Sequence, residues 1–465
     1  HGVDFDEQLS LVADLGLTSY RVDVPSILKA NALETLIDKG RKLGIDILPI
    51  LIPPGDLDKD TPEGLYKKAN NFATFFVTRF AHKVKVWELG NELENYAILQ
   101  PCEYMDDGRQ YDCASGPASG VSPLEYEGKR WRKVSSVLKG LSDATIAAAP
   151  HALKAMGTAG WGHVGAFERM RDDGIKWDIS VWHNYDGKFE WGLKRVAKFG
   201  KPIWITEFNN DRGSQNGDVV QAEGLARSIT EIRRLRNAYN VRAAHIYELL
   251  DETYWAPDYE GYMGLAYLDK GAGKSWRVGG PKPAYCSVRT MLRGGYRIGL
   301  GSATTPGNSG ARRDLAATDA TDMLTPVRSC NLCTFAARDV PLETAISYSY
   351  CLSLGHPHDG GGLEAWSRDV RQGKVKLASI RRSMLDLKLE TIKAATLNDS
   401  AFVTYVRRLL LDAEPVSIEH WSLVHALQQR RLTREQVIDR IFASSRFRWM
   451  HPTLFNVKET IAGSQ

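Results

Sequence analysis

Val84–Glu94 reads VKVWELGNELE. Its Val, Trp and Leu residues form a run of strand length that stops at Gly90 and gives way to Asn91 and Glu92. About 115 residues later Pro202–Asn209, PIWITEFN, repeats the form: β-branched and aromatic residues, then Glu207. Two carboxylates at the C-terminal ends of separate strands are what cleavage of a glycosidic bond requires. One protonates the leaving oxygen, and the other attacks or stabilises the sugar cation. In one barrel, Glu92 and Glu207 can face each other across a cleft.

Outward from these two segments, the first 297 residues alternate between helical and strand-like patterns. Helices are expected over Glu7–Leu15, Ala32–Leu43, Leu65–Phe80, Pro123–Leu141, Val164–Arg171, Trp191–Phe199, Val219–Asn237 and Ala284–Arg293. Strands are expected over Thr18–Val24, Ile45–Ile52, Val84–Leu89, Ala155–Gly160, Trp177–Trp182, Pro202–Thr206 and Val241–Leu249. Such alternation implies an α/β fold with a parallel sheet and helices outside it. A (β/α)8 TIM barrel needs eight strands, and seven are readable. The missing one precedes Glu7, where His1–Phe5 is too short to supply it, so the first strand is expected to be absent or truncated. A doubly wound open sheet is the alternative, but no Gly-rich phosphate turn follows the first strand.

The chain has 465 residues, 43% apolar and 25% charged, which suits a globular protein with two domains or a large barrel and an appendage. No run of about 18 apolar residues marks a membrane span. The opening His1 reads as the start of a processed or trimmed piece. The net charge of +4 comes wholly from residues 298–465, with 21 Lys and Arg against 17 Asp and Glu. A balanced N-terminal region argues against a nucleic-acid channel. Arg pairs at 312–313, 381–382, 407–408 and 430–431 read as solvated faces. Cys102 and Cys113 bracket a polar loop, either as a disulfide suited to export or as free thiols. Cys330-Asn-Leu-Cys333 lacks a second ligand pair, so a metal site is not expected; Cys351 is placed to bridge to one of them.

Residues 298–337 are rich in Gly, Ser, Ala, Thr and Arg and read as a linker. Residues 338–465 read as a C-terminal all-α domain. Tyr350, Leu354, Trp366 and Leu377 recur 55 positions later as Tyr405, Leu409, Trp421 and Leu432, two copies of one helical unit.

Several side chains at strand ends join the two glutamates. Asn91 can bind a sugar hydroxyl beside Glu92, whose alternative is a solvated acid in a polar turn, in a stretch that also carries Glu88 and Glu94. Arg21 and Tyr185 can donate to an ionised Glu207; the bland alternative for Arg21 is a structural ion pair with Asp23 or an acid at the barrel bottom. His183 and Tyr185 close a strand and can orient a carboxylate. Among twelve Trp, Trp87 and Trp204 read as core, and Trp161 and Trp255 as sugar-stacking platforms in loops. Tyr247 and Glu248 end the last strand, within reach of the cleft.

TSYRVDV, WELGNE, TAGW, SVWHNY, WITEFN and HIYELLDE, in this order, resemble the clan of retaining glycoside hydrolases built on a (β/α)8 barrel, and within it glycoside hydrolase family 39 and its exopolysaccharide-associated relatives more than families 5 and 53. The resemblance spans about residues 2–293. It implies Glu92 as acid/base, Glu207 as nucleophile, Arg21 as the arginine near the nucleophile, Asn91 as the binder of the sugar 2-hydroxyl, and His183 and Tyr185 as the strand-6 pair. It implies no metal or organic cofactor. Tyr247-Glu248 replaces the usual strand-8 tryptophan, an unusual subsite that fits a charged or amino sugar. The C-terminal stretches FVTYVRRLLLDAEP, HW and LTREQVIDRIFASSRF resemble a helical domain of unknown function in bacterial secreted proteins, with some likeness to phycobilisome linker domains. The expectation is a secreted, periplasmic or cell-surface enzyme for a polysaccharide or oligosaccharide, with no nucleic-acid partner and with cell-surface or matrix contact through the helical domain. A carbohydrate-binding protein on a degenerate barrel and a transglycosylase are the alternatives.

Overall fold

The computed structural model describes residues 2–271, 275–293, 340–356, 358, 360–411, 417–455 and 457. The chain divides into two units, His1–Gly264 with Leu268–Val278, and Leu265–Tyr267 with Gly279–Gln465. The expected linker lies outside the described residues, as do Cys330 and Cys333.

The first unit holds seven parallel strands in chain order: β1 (Ser19–Val24), β2 (Asp46–Leu51), β3 (Val86–Leu89), β4 (Leu153–Thr158), β5 (Ile179–Asn184), β6 (Ile203–Phe208) and β7 (Val241–Ile246). Helix α1 (Phe5–Leu15) precedes β1. The crossovers are α2 (Ala30–Lys42), α3 (Pro62–Phe80), α4 (Gly128–Ala148), α5 (Gly165–Asp172), α6 (Phe189–Val196) and α7 (Asp218–Leu235). Ladders join each strand to the next, and none joins β7 to β1 among the described residues. At that seam Ser19 Oγ on β1 lies 2.9 Å from His245 Nε2 on β7. The sheet therefore curls into a near-closed TIM-type barrel, and the seam is the position of the strand that the alternation leaves unfilled.

Local chemistry sets the element ends. Asp4 caps α1 through Asp6 N, and Gly16 closes it at φ 78°. Thr61 caps α3, with Pro62 in the first turn. α4 begins at Gly128 rather than at the expected Pro123, because Ser122 and Glu125 form a reciprocal capping box around their own 3-10 turn and Tyr126 is extended. β5 is buried along its whole length, as a strand covered on both faces must be. It extends to Asn184, so His183 lies inside the strand rather than after it. A two-stranded sheet, β8 (Ala266–Lys270) with β9 (Trp276–Pro281), has no counterpart in the sequence reading. Cys102 and Cys113 form a disulfide across the loop between β3 and α4. Cys286 and Cys351 each take part in a disulfide as well.

The second unit is helical: α8 (Pro283–Arg293), α9 (Leu342–Leu354), α10 (Gly360–Arg371), α11 (Leu377–Thr391), α12 (Asp399–Leu411), α13 (Ile418–Gln428), α14 (Arg434–Ala443) and α15 (Ser445–Met450). Tyr348, Leu385, Phe402, Val406, Leu410, Val437 and Phe447 belong to its larger core. Of the repeated positions, Tyr350 and Tyr405 are both buried, whereas Trp366 packs against a core and Trp421 is exposed. Two of the Arg expected on solvated faces are buried instead, Arg381 and Arg407. The Arg381 guanidinium lies over Phe442, Phe447 and Phe455 at 4.5–5.4 Å, where aromatic faces replace part of its hydration. Burial pulls its pKa down to about 10. Among the described residues no helix is long and apolar enough to cross a membrane.

Candidate active site

The two strand-end glutamates meet. Glu92 follows β3 through Gly90 and Asn91, and Glu207 is the fifth residue of β6. One oxygen of each and one nitrogen of His183 lie within 4.8 Å of one another. The register slips between Trp182 and His183 on β5, and again between Ile205 and Phe208 where β6 meets β7. Such irregularities re-aim side chains beside a site, and here they flank His183 and Glu207. Glu92 adopts a left-handed backbone at φ 48°, ψ 31°. A non-glycine residue there costs roughly 1–2 kcal/mol, so the surrounding turn must hold it in place.

Glu207 is 7% exposed and has donors on both oxygens. Arg21 Nη1 donates to Oε1 at 2.6 Å, and Tyr185 Oη donates to Oε2 at 2.6 Å. Burial would raise this carboxyl, but the charges of His183 and Arg21 and the Tyr185 bond outweigh it and hold Glu207 below its usual value. Burial likewise pushes the Tyr185 phenol well up, and Glu207 pushes it further, which keeps the donor protonated. Arg21 is fixed by Glu88, which accepts from Nε at 2.8 Å and Nη2 at 2.7 Å. Arg21 thus pairs with Glu88 and Glu207 rather than with Asp23. Its Nη2 also donates to Asn91 Oδ1 at 2.9 Å, leaving the Asn91 amide N–H groups for another partner.

A proton line follows from the donor inventory. Glu88 Oε1 accepts from Thr206 Oγ1 at 3.2 Å. Thr206 has one proton, so its oxygen accepts from His183 Nε2 at 3.0 Å. With Nε2 thereby fixed as a donor, the 2.7 Å contact between His183 Nδ1 and Glu92 Oε1 requires one further proton, carried by either atom. Burial disfavours the imidazolium, but the Glu207 charge and the Glu92 hydrogen bond raise His183 above its usual value. Glu92 therefore shares a proton at a half-open position, its side chain 31% exposed. The same Glu92–His183–Glu207 spacing would also accept a cation, although Arg21 already supplies positive charge to Glu207.

The structure brings Arg21, Asn91, Glu92, His183, Tyr185 and Glu207 into one hydrogen-bonded group. Tyr247 adjoins it, its ring centroid 6.3 Å from that of Tyr185. Glu248 follows through a cis peptide, and its backbone N donates to Met263 O at 3.2 Å. Trp161 and Trp255 stand outside the network, 64% and 56% exposed. Trp161 packs on His163, whose Nδ1 lies 2.9 Å from Glu94 Oε1. Trp255 Nε1 donates to Glu252.

Glu88 and Glu94, which the sequence marks only as further acids of the same stretch, are 1% and 2% exposed. Glu88 anchors Arg21, and Glu94 accepts from Ala159 N at 2.6 Å and so holds the loop that carries Trp161. The signal for Glu88 is a lone acid inside an apolar strand, since charges are rarely buried without partners. Glu260, in the loop after β7, has no counterpart in the sequence reading either. Burial raises its carboxyl, as do Asp258, Glu252, Glu92 and Glu207, which places the loop near the pair.

Residues 127–242 match the family model described as a glycosyl hydrolase catalytic core. That span includes Trp161, His183, Tyr185 and Glu207. No curated protein matches the chain. Similar solved structures include β-glycosidase BGL167, at 13% identity and TM-score 0.45, covering 66% of this chain and 88% of that one. Another is the family 1 β-glucosidase from Thermotoga maritima, at 14% identity and TM-score 0.44, covering 62% and 85%.

Proposed function

We propose that this chain is a retaining glycoside hydrolase acting on a bacterial exopolysaccharide or oligosaccharide. One observation carries the reading: one carboxylate oxygen of Glu92 and one of Glu207, both beside His183, lie within 4.8 Å of each other at the C-terminal ends of parallel strands. Retaining enzymes hold their carboxyls about 5–5.5 Å apart, and inverting ones about 6.5–9.5 Å, to admit a water. Glu207, kept ionised, attacks the anomeric carbon. Glu92 gives its proton to the glycosidic oxygen, which leaves as an alcohol. Glu92, now a carboxylate, takes a proton from water, and the resulting hydroxide releases the sugar from Glu207. In this reading Asn91 binds a hydroxyl beside the reacting carbon, and Trp161 and Trp255 stack on neighbouring rings. Export follows from such a substrate, and the helical unit serves to anchor the protein or present the polymer.

The test is the anomeric configuration of the first product, followed by NMR while the full chain digests bacterial exopolysaccharide and β-linked gluco-, manno- and xylo-oligosaccharides. The expected product keeps the configuration of the bond cleaved. The opposite anomer overturns the retaining mechanism. Polymer bound without release of reducing ends identifies a binding protein, and products longer than the substrate identify a transglycosylase.

A further inference from the structure

At the other end of the barrel a cavity of about 320 Å³ is lined by Arg171, Ile175, Lys176, Trp177, Lys198, Phe199 and Lys201. Its residues precede β5 and β6, whereas His183 and Glu207 stand near the far ends of those strands. Six residues of strand rise roughly 20 Å, so this cleft is remote from the carboxylate pair. Its volume is at the lower end of ligand cavities, about 300–1,000 Å³.

The lining carries four cations and no carboxylate. Arg171 has a solvated ion pair with Asp172 at 3.0 Å. Lys176, Lys198 and Lys201 are in no ion pair among the described residues, so within the cleft their charges are not neutralised by a carboxylate. Like charges gathered without counter-ions repel, and a low-dielectric wall strengthens their field. That wall is rigid. Trp177 is 5% exposed and its Nε1 donates to Ser180 Oγ at 3.1 Å. Phe167 packs against both Trp177 and Phe199, with centroids 6.1 and 5.2 Å away. Lys201 Nζ sits 5.0 Å from the Trp177 ring centroid, which places the ammonium at the junction of the aromatic and cationic faces.

We propose that this cleft is an accessory binding site for an anionic sugar, whose apolar ring face lies on half-buried Phe199, backed by the buried Trp177, and whose carboxylate or phosphate lies among Lys176, Lys198 and Lys201. An aromatic wall suits the CH face of a pyranose, and ammonium groups suit an oxyanion. The site holds a polymer against the enzyme away from the reacting bond. It takes from the glycosidase reading only the expectation that the ring is a sugar, and it does not require Glu92 or Glu207 to be catalytic.

The test is affinity electrophoresis of the full chain at physiological salt, where exposed long-range attraction is screened. Separate gels contain polygalacturonate, phosphomannan or neutral dextran. Wild type is expected to be retarded by one or both anionic polymers and not by dextran, and the polymer that retards it distinguishes carboxylate from phosphate. Lys198→Ala with Lys201→Ala is expected to weaken retardation about tenfold or more, as losing charge-assisted hydrogen bonds does. Lys29→Ala with Lys42→Ala, the same charge change on exposed residues elsewhere, and Glu207→Ala are expected to leave it unchanged. No retardation by either polymer overturns the site, as does equal weakening in the charge control. Displacement by inorganic phosphate but not by free galacturonate or mannose 6-phosphate identifies a bare-anion site and overturns the sugar. Failure of cleavage with retardation intact would count against the glycosidase reading alone.

Discussion

The strand ends at β3 and β6 each bring a glutamate to His183, and they hold it in opposite ways. Glu207 is buried, clamped by Arg21 and Tyr185 and held ionised. Glu92 lies on a left-handed turn with its side chain 31% exposed, and shares a proton with His183. Chemically identical side chains thus meet different surroundings, one held as a buried anion and the other hydrogen-bonded to His183 at a more open position, the division of environments that the proposed acid/base and nucleophile roles need. The difference rests on Glu88, which anchors Arg21 directly and His183 through Thr206.

Breaking the comparison on the Glu92 side is expected to have the largest effect. Glu92→Gln should lower kcat by about 10²–10⁴ on substrates with poor leaving groups, and much less on aryl glycosides that need no protonation. Steady-state kinetics on both classes checks this. On the other side, Arg21→Met strands two buried carboxylates, Glu88 and Glu207. Denaturant unfolding should show roughly 3–5 kcal/mol of lost stability. A milder change, Tyr185→Phe, removes one hydrogen bond from an ionised group and should cost about 10–100-fold in kcat/KM.

The smallest effect sharpens the comparison by pH. A lowered Glu207 stabilises the fold above the usual carboxyl value of about 4.3, and that stability is lost as pH falls through the lowered value. A raised His183 contributes stability fully below about 6.5, lost as pH rises through the raised value. The acid limb of kcat/KM should therefore lie below the usual carboxyl range, and Tyr185→Phe should move it upward. A limb unmoved by that substitution would show that Glu207 is not the ionisation it reports.

The barrel was legible because parallel strands buried on both faces leave continuous apolar runs, as in SVW and PIWIT, between amphipathic helices. Glu92 and Glu207 were legible because each interrupts or ends such a run. What supports them was not. Glu88 and Glu94 look like neighbours in a polar turn, and only the barrel's curvature turns them inward toward Arg21 and His163. Sequence spacing likewise gives no sign that Arg21 passes over Asp23, two residues away, for partners 67 and 186 residues distant. The buried Arg381 misled for a similar reason: its partners are aromatic rings from other helices rather than acids close in sequence.

The most direct measurement is to trap the enzyme with a panel of 2-deoxy-2-fluoroglycosyl fluorides and locate the adduct by peptide mass spectrometry. The account predicts a glycosyl ester on Glu207, absent in Glu207→Ala. Time-dependent inactivation with the label on another residue, or bound sugar with no adduct across the panel, would contradict it.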